Sequence, residues 1–291
     1  MPPLVALVAV TAVWGLTFVQ VKDAVELYPL FAFLAVRFAI ASLTLAVPAW
    51  RSMRRLGRGG WAAGTALGLL LACGYALQTA GLQRTTVSNT GFITGLYVVF
   101  TPVLALVFFR TRLAGAVWLG VALSTIGLAL LSGVGGSELG GEALVLAGSA
   151  VYSLQIVLME PAAPRFDVLA FTQVEMLAAC AGFLAIALAA GQIEMPHGRT
   201  VWGALLVTGI FASALAFLVQ TWAQRRTSAT RTALAFAMEP VFAALFGFWL
   251  AGDRLGLAGA TGAALIMGGI VVSEPVAAET LRRLLPRRAL S

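Results

Sequence analysis

The residues of this chain able to do chemistry are few, and they stand three positions apart inside long apolar runs. Trp14 with Thr17, Tyr75 with Gln78, Thr94 with Tyr97, Tyr152 with Gln155, Phe217 with Gln220 and Phe236 with Glu239 make six such pairs. Residues at i and i+3 share one face of a helix. Each pair presents an aromatic face or a hydrogen-bonding group, the usual lining of a pocket for a small molecule. Aromatics also fill gaps between helices, and lone polar groups bond across them. Six helices carrying the pattern at corresponding places favour one shared cavity over six packing details.

Glu239 is the sharpest of these residues. About ten residues into its run, at about 1.5 Å per residue, it stands about 15 Å deep in a hydrocarbon core of about 30 Å. A charge there costs at least about 2.5–3.5 kcal/mol, so the carboxylate is neutralised, paired or wet. A protonated, hydrogen-bonded structural glutamate is the competing reading. Pro240 follows it and withdraws an N–H, which frees a carbonyl one turn back and favours a kink. Pro240 and Pro102 are therefore the candidate gate or kink positions. Arg37 and Glu175 are possible charge sites. Their depths differ by about 10 Å, so each is expected to snorkel or to find its own partner, a substrate carboxylate being one candidate for Arg37.

Covalent chemistry has little to work with. The chain has one histidine, His197, in a loop, and no nucleophile–base set or metal-ligand motif. Cys73 and Cys180 sit in apolar runs, so neither a disulfide nor a metal site is expected, and no cofactor is called for.

The elements that must position these residues come from a duplication. Residues 220–270 slide back by 142 positions onto 78–128 without a gap, and 14 of the 51 pairs are identical. Shared apolarity does not explain Gln78/Gln220, Thr79/Thr221, Arg84/Arg226, Arg112/Arg254 or Gly120/Gly262 in one register. Upstream the match continues at an offset of 138, placing Trp14 on Tyr152, Thr17 on Gln155 and Arg37 on Glu175. The chain is one unit of about 140 residues, repeated.

With 60% hydrophobic and 11% charged residues and a mean hydropathy of +0.94, the chain is suited to lipid and not to water. Ten runs are long enough to cross a bilayer: 4–21, 30–50, 61–83, 87–109 and 113–131, then 142–159, 168–190, 201–224, 229–250 and 256–273. The first has neither a basic start nor a cleavage site, so it reads as a span and not as a signal peptide. Val121 and Ile266 are read as lipid-facing. The expected fold is an all-α polytopic membrane protein of ten transmembrane helices. Its parts are a first repeat (1–132), a Gly-rich linker (133–141), a second repeat (142–273) and a basic cytoplasmic tail (274–291). Five spans per unit is odd, so the second repeat enters from the opposite side and the two are inverted.

Charge orients the array. With the N-terminus inside, 14 basic residues fall in cytoplasmic segments and four (Lys22, Arg84, Arg199 and Arg254) outside. Both termini are then cytoplasmic, and the net charge of +7 reflects orientation, not nucleic-acid binding. The tail's arginines are expected to rest on anionic headgroups.

The chain resembles the EamA family of the drug/metabolite transporter superfamily. The likeness rests on Trp14-Gly15-Leu16-Thr17-Phe18 with Lys22, on Val36-Arg37-Phe38, on the stretch from Thr90-Gly91-Phe92 to Phe100-Thr101-Pro102, and on Met238-Glu239-Pro240-Val241-Phe242. It covers about residues 4–273. The resemblance implies an inner-membrane carrier, often an exporter of amino acids or other metabolites, with a cavity lined by spans 1, 3, 4, 6, 8 and 9. A non-transporting sensor or scaffold on the same fold is the alternative. The oligomeric state stays open, a monomer included.

Overall fold

The computed structural model describes residues 2–85, 87–110, 113–132, 139–246, 249 and 256–273. The tail 274–291, linker residues 133–138, Arg112 and Arg254 lie outside them. Every regular element described is helical. In the first half these are α1 (Pro3–Leu27), α2 (Leu30–Met53), α3 (Arg58–Leu82), α4 (Val87–Gly95), α5 (Tyr97–Phe109) and α6 (Gly115–Ser132). The second half holds α7 (Leu139–Ala162), α8 (Val168–Ala189), α9 (Arg199–Gly209), α10 (Ala216–Gln224), α11 (Ala229–Phe236), α12 (Glu239–Phe246) and α13 (Leu257–Ser273). Among the described residues seven stretches are long and apolar enough to cross a membrane, and α6 and α13 contain shorter apolar ones. The helix α7 begins at Leu139, so it takes in the last three residues assigned to the linker.

Three of the ten apolar runs are broken helices. The fourth splits at Leu96 into α4 and α5, and the ninth splits at Ala237–Met238 into α11 and α12. Leu96 and Met238 are counterparts in the 142-residue register, so the two breaks are equivalent. Pro240 stands second in α12, where its missing N–H leaves the Phe236 carbonyl, four residues back, without its helical partner. Pro102 lies farther from its break, inside α5. The eighth run bulges into a π-turn, Ile210–Leu215, between α9 and α10.

The helices pack in related pairs. The helix α2 packs on α8, and α6 on α13. Helix α3 lies against α7 and α8, while α9 and the π-turn lie against α1 and α2. Helix α1 packs on α11 and α12, as α7 does on α4 and α5. Exchanging the halves turns the α2–α8 and α6–α13 contacts into themselves and each of the others into another of the set.

Small residues set the closest approaches. A Cβ on Gly120 would stand 2.6 Å from the Gly269 carbonyl oxygen, and one on Gly127 2.5 Å from that of Gly262. Along α6 the position rises from 120 to 127 while along α13 it falls from 269 to 262, so the helices run antiparallel. Gly120 and Gly262 are repeat counterparts, as are Gly127 and Gly269. At Gly68 a Cβ would run into the Glu175 carbonyl oxygen, which fixes α3 against α8. Such spacing of small residues is what lets helix backbones touch where no hydrophobic force drives them together.

Val121 and Ile266, expected to face lipid, are instead 4% and 0% exposed. Ile266 lies in the α6–α13 interface, where it would meet a Cβ on Gly127 at 2.8 Å. Apolar exposure falls elsewhere. Leu43 and Val47, one turn apart on α2, are 72% and 85% exposed and give that helix a face suited to lipid tails.

Candidate substrate cavity

All eleven residues assigned to a cavity from the sequence (Trp14, Thr17, Tyr75, Gln78, Thr94, Tyr97, Tyr152, Gln155, Phe217, Gln220 and Glu239) border one cavity between the halves. It encloses about 680 Å³ of space between atoms, its opening included. Phe236 and Arg37 border it too. Glu175, Pro102 and Pro240 are not among the residues that border it.

Four rings form its spine. Trp14 meets Phe217 with ring centroids 5.8 Å apart, Phe217 meets Tyr75 at 6.3 Å, and Tyr75 meets Tyr152 at 5.4 Å. Trp14 and Tyr152 are repeat counterparts, as are Tyr75 and Phe217, so the row reads alike from both ends. Such edge and tilted contacts stabilise by about 0.5–1.5 kcal/mol each beyond the area they bury.

The broken helices supply the polar groups. With α4 ended at Gly95, the Thr94 carbonyl accepts from Ser149 Oγ at 2.9 Å. At the other break the Phe236 carbonyl, which Pro240 leaves open, accepts from Tyr97 Oη at 2.7 Å. The same hydroxyl reaches Glu239 Oε2 at 3.2 Å. Tyr97 and Glu239 are counterparts in the repeat, so the two breaks meet through equivalent residues. Gln78 donates from Nε2 to Thr94 Oγ1 at 2.9 Å and accepts from Tyr152 Oη at 3.0 Å.

The π-turn does the same for Arg37. A π-turn shifts the helix's own hydrogen-bond ladder and leaves groups free to face side chains. Here the Ala212 carbonyl accepts from Trp14 Nε1 at 2.8 Å and from Arg37 Nη2 at 3.4 Å. Ser213 Oγ accepts from Arg37 Nε at 2.8 Å, and Tyr75 Oη from Arg37 Nη2 at 3.1 Å. The guanidinium lies over the Tyr75 ring, 4.6 Å from its centroid.

Arg37 and Glu175 make no bond to each other among the described residues. Glu175 accepts at Oε1 from Gln155 Nε2 at 2.7 Å, and its enclosed Oε2 has no hydrogen-bond partner. Gln155 in turn accepts from Gln220, which also donates to Gln224, whose amide reaches the Ile156 carbonyl.

The lining is not centred. It runs along α1 from Trp14 to Val21 and along α3 from Leu71 to Leu82, toward the end where those helices finish. The counterparts of the outermost residues on the opposite side, Met159, Thr221 and Gln224, are not part of it. Thr221 is bonded to Thr172 at 3.0 Å, and Gln224 lies in the chain just described. Beside them Glu160 Oε2 accepts the Ala229 N–H at 2.7 Å, in the first turn of α11. An acid at a helix N-terminus satisfies an orphan donor and suits the helix dipole. Its counterpart at the other end is Lys22, whose Nζ reaches the Thr85 carbonyl at a looser 3.5 Å.

Sequence reasoning passed over Phe18, Val21, Leu71, Thr79, Leu82 and Ile156 in the lining, and Ser213 behind it. Thr79 carried a signal, its identity with Thr221 in the repeat. Ser213 carried none, because its counterpart is Leu71.

Compared with known proteins, the sequence profile of the EamA-like transporter family matches residues 1–133 and 139–273. An uncharacterized transporter of Archaeoglobus fulgidus is 30% identical over 91% of this chain and 83% of its own length. The uncharacterized transporter YoaV of Bacillus subtilis is 21% identical over 93% of this chain and 96% of its own. A solved crystal structure superposes with a TM-score of 0.79, covering 98% of this chain and 99% of that one at 20% identity, a likeness of fold alone.

Proposed function

The chain belongs to the EamA-like transporter family and is a multi-pass membrane protein; on that premise we propose that it is a secondary transporter that exports small metabolites such as amino acids. Its ten helical segments form two inverted five-helix repeats, and the substrate site is the cavity between them. The observation that carries this reading is the convergence of eleven residues, at matched places in both repeats, on one cavity. Support for the inversion comes from the antiparallel α6–α13 contact, in which each glycine faces the counterpart of the other.

Transport proceeds by rocking one set of helices against the other, so that the cavity opens to one side at a time. The off-centre lining and the bonded Gln155–Gln220–Gln224 end fit a state that leans to one side. Orientation follows from the basic residues, with both termini in the cytoplasm and the protein in the inner (plasma) membrane. One chain surrounds the cavity by itself, so a monomer suffices.

Glu239 faces the ammonium group of the substrate. Its Oε1 takes no hydrogen bond among the described residues and its side chain borders the cavity. A sensor or scaffold has no use for polar side chains gathered from matched places of both repeats onto one cavity, and no observation favours that reading. Flux of radiolabelled amino acids into proteoliposomes holding the purified protein tests the proposal. Uptake above protein-free liposomes, saturable with concentration, is expected. Absence of flux for every amino acid and organic cation tried would remove the amino-acid reading.

A further inference from the structure

Arg37 is 3% exposed and keeps its charge, because a guanidinium does not lose its proton in proteins. A buried charge needs a partner of opposite sign or a wet surface. Its three hydrogen bonds go to neutral groups: the Ser213 and Tyr75 hydroxyls and the Ala212 carbonyl. They occupy Nε and Nη2. Nη1 has no hydrogen-bond partner among the described residues, and it is not one of the enclosed unpaired atoms, so it opens on the cavity that Arg37 borders. Glu175, which stands at the matching place in the other repeat, is bonded to Gln155 and takes no part in neutralising it.

We propose that Arg37 is the anchor for a carboxylate on the transported molecule, a step that rests on the transporter reading above. The bonds to Ser213, Ala212 and Tyr75, with the Tyr75 ring beneath, hold the guanidinium plane before any ligand arrives. An anchor fixed in advance loses little freedom on binding. Two N–H groups on one nitrogen suit a singly charged oxyanion. A phosphate dianion would bring a second negative charge to a lining whose only basic residue, among the described residues, is Arg37 and whose acid is Glu239. Seven aromatic rings (Trp14, Phe18, Tyr75, Tyr97, Tyr152, Phe217 and Phe236) border the same space and give the contact largely apolar surroundings. In such surroundings a charge-assisted bond is stronger than in water. The π-turn in the second repeat has no equivalent in α3, so only one half builds this anchor and the site has a defined polarity.

Equilibrium binding to the full-length protein in lipid nanodiscs tests this with three probes: phenylalanine, its amide, which lacks the carboxylate, and phenethylamine. The wild type should bind phenylalanine about 10- to 100-fold more tightly than the other two. Arg37→Gln should erase that preference by weakening the acid alone. Ser213→Ala, which keeps the charge and loosens its seat, should reduce the preference without erasing it. Should Arg37→Gln fail to fold, the wild-type ranking and Ser213→Ala still decide. Equal wild-type affinity for acid and amide overturns the proposal, as does an intact preference in either variant. If the wild type binds none of the probes the anchor falls, while flux of another solute into proteoliposomes leaves the transporter reading standing. Binding with the stated ranking but no flux of any solute does the reverse.

Discussion

Replacing Glu239 by Gln removes one charge from the cavity and almost nothing else. Gln has nearly the same shape, and its amide oxygen accepts from Tyr97 Oη as the carboxylate does now at 3.2 Å. Tyr97 keeps its shorter bond to the Phe236 carbonyl, so the joint between the two helix breaks survives. The fold is therefore retained, with a melting temperature within a few degrees of wild type. What goes is the partner for a cationic group. A hydrogen bond to a charged group is worth about 1.5–3 kcal/mol, so affinity for an ammonium-bearing substrate should fall about 10- to 100-fold wherever the carboxylate is ionised. If Glu239 instead carries a proton inward against exported substrate, exchange of labelled for unlabelled substrate persists and only the response to a pH gradient disappears. Counterflow in proteoliposomes, with and without an imposed gradient, separates the two. Wild-type rates, substrate preference and pH response in Glu239→Gln would refute both, and leave the carboxylate a structural group.

Three further outcomes follow from particular contacts. Gly127→Leu drives a side chain into the Gly262 carbonyl and Ile266, so the variant should lose the monodisperse peak in size-exclusion chromatography, while Gly115→Ala, with nothing within 4 Å, should behave as wild type. Glu160→Ala strands the Ala229 N–H at the start of α11, a loss of about 1 kcal/mol that should raise labelling of a cysteine placed at Met159 or Gln224 about fivefold, after Cys73 and Cys180 are replaced. Reporters fused after Ser291 and within residues 54–58 should both read cytoplasm, and a C-terminal fusion reading outside would reverse the orientation.

Much of this fold was legible because the chain states it twice. The register of 142 places Tyr97 on Glu239 and Leu96 on Met238, and in space the former pair touch while the latter mark the two helix breaks. The polar members of the lining stood out because Gln and Glu inside an apolar run are expensive and so informative. Leu71, Val21 and Leu82 border the same cavity unseen, since an apolar residue in an apolar run carries no signal. The π-turn at Ile210–Leu215 was invisible for a different reason. Its residues are ordinary helix formers, and the bulge arises where Trp14 and Arg37 from other helices reach the Ala212 carbonyl. Val121 and Ile266 were misplaced because lipid-facing and buried positions are equally apolar in this chain, and at Ile266 only the glycine opposite it, Gly127, tells the two apart.

Alternating access requires that one cavity be reached from both sides of the membrane in turn. A single cysteine at Gln78, which borders it, can be probed with a membrane-impermeant maleimide in right-side-out and in inside-out vesicles, with one at Leu43 on the exposed apolar face of α2 as the control. The Gln78 position should label from each side, more slowly in saturating substrate, and the Leu43 position from neither. Labelling from one side only, under every condition of substrate and gradient, would contradict alternating access.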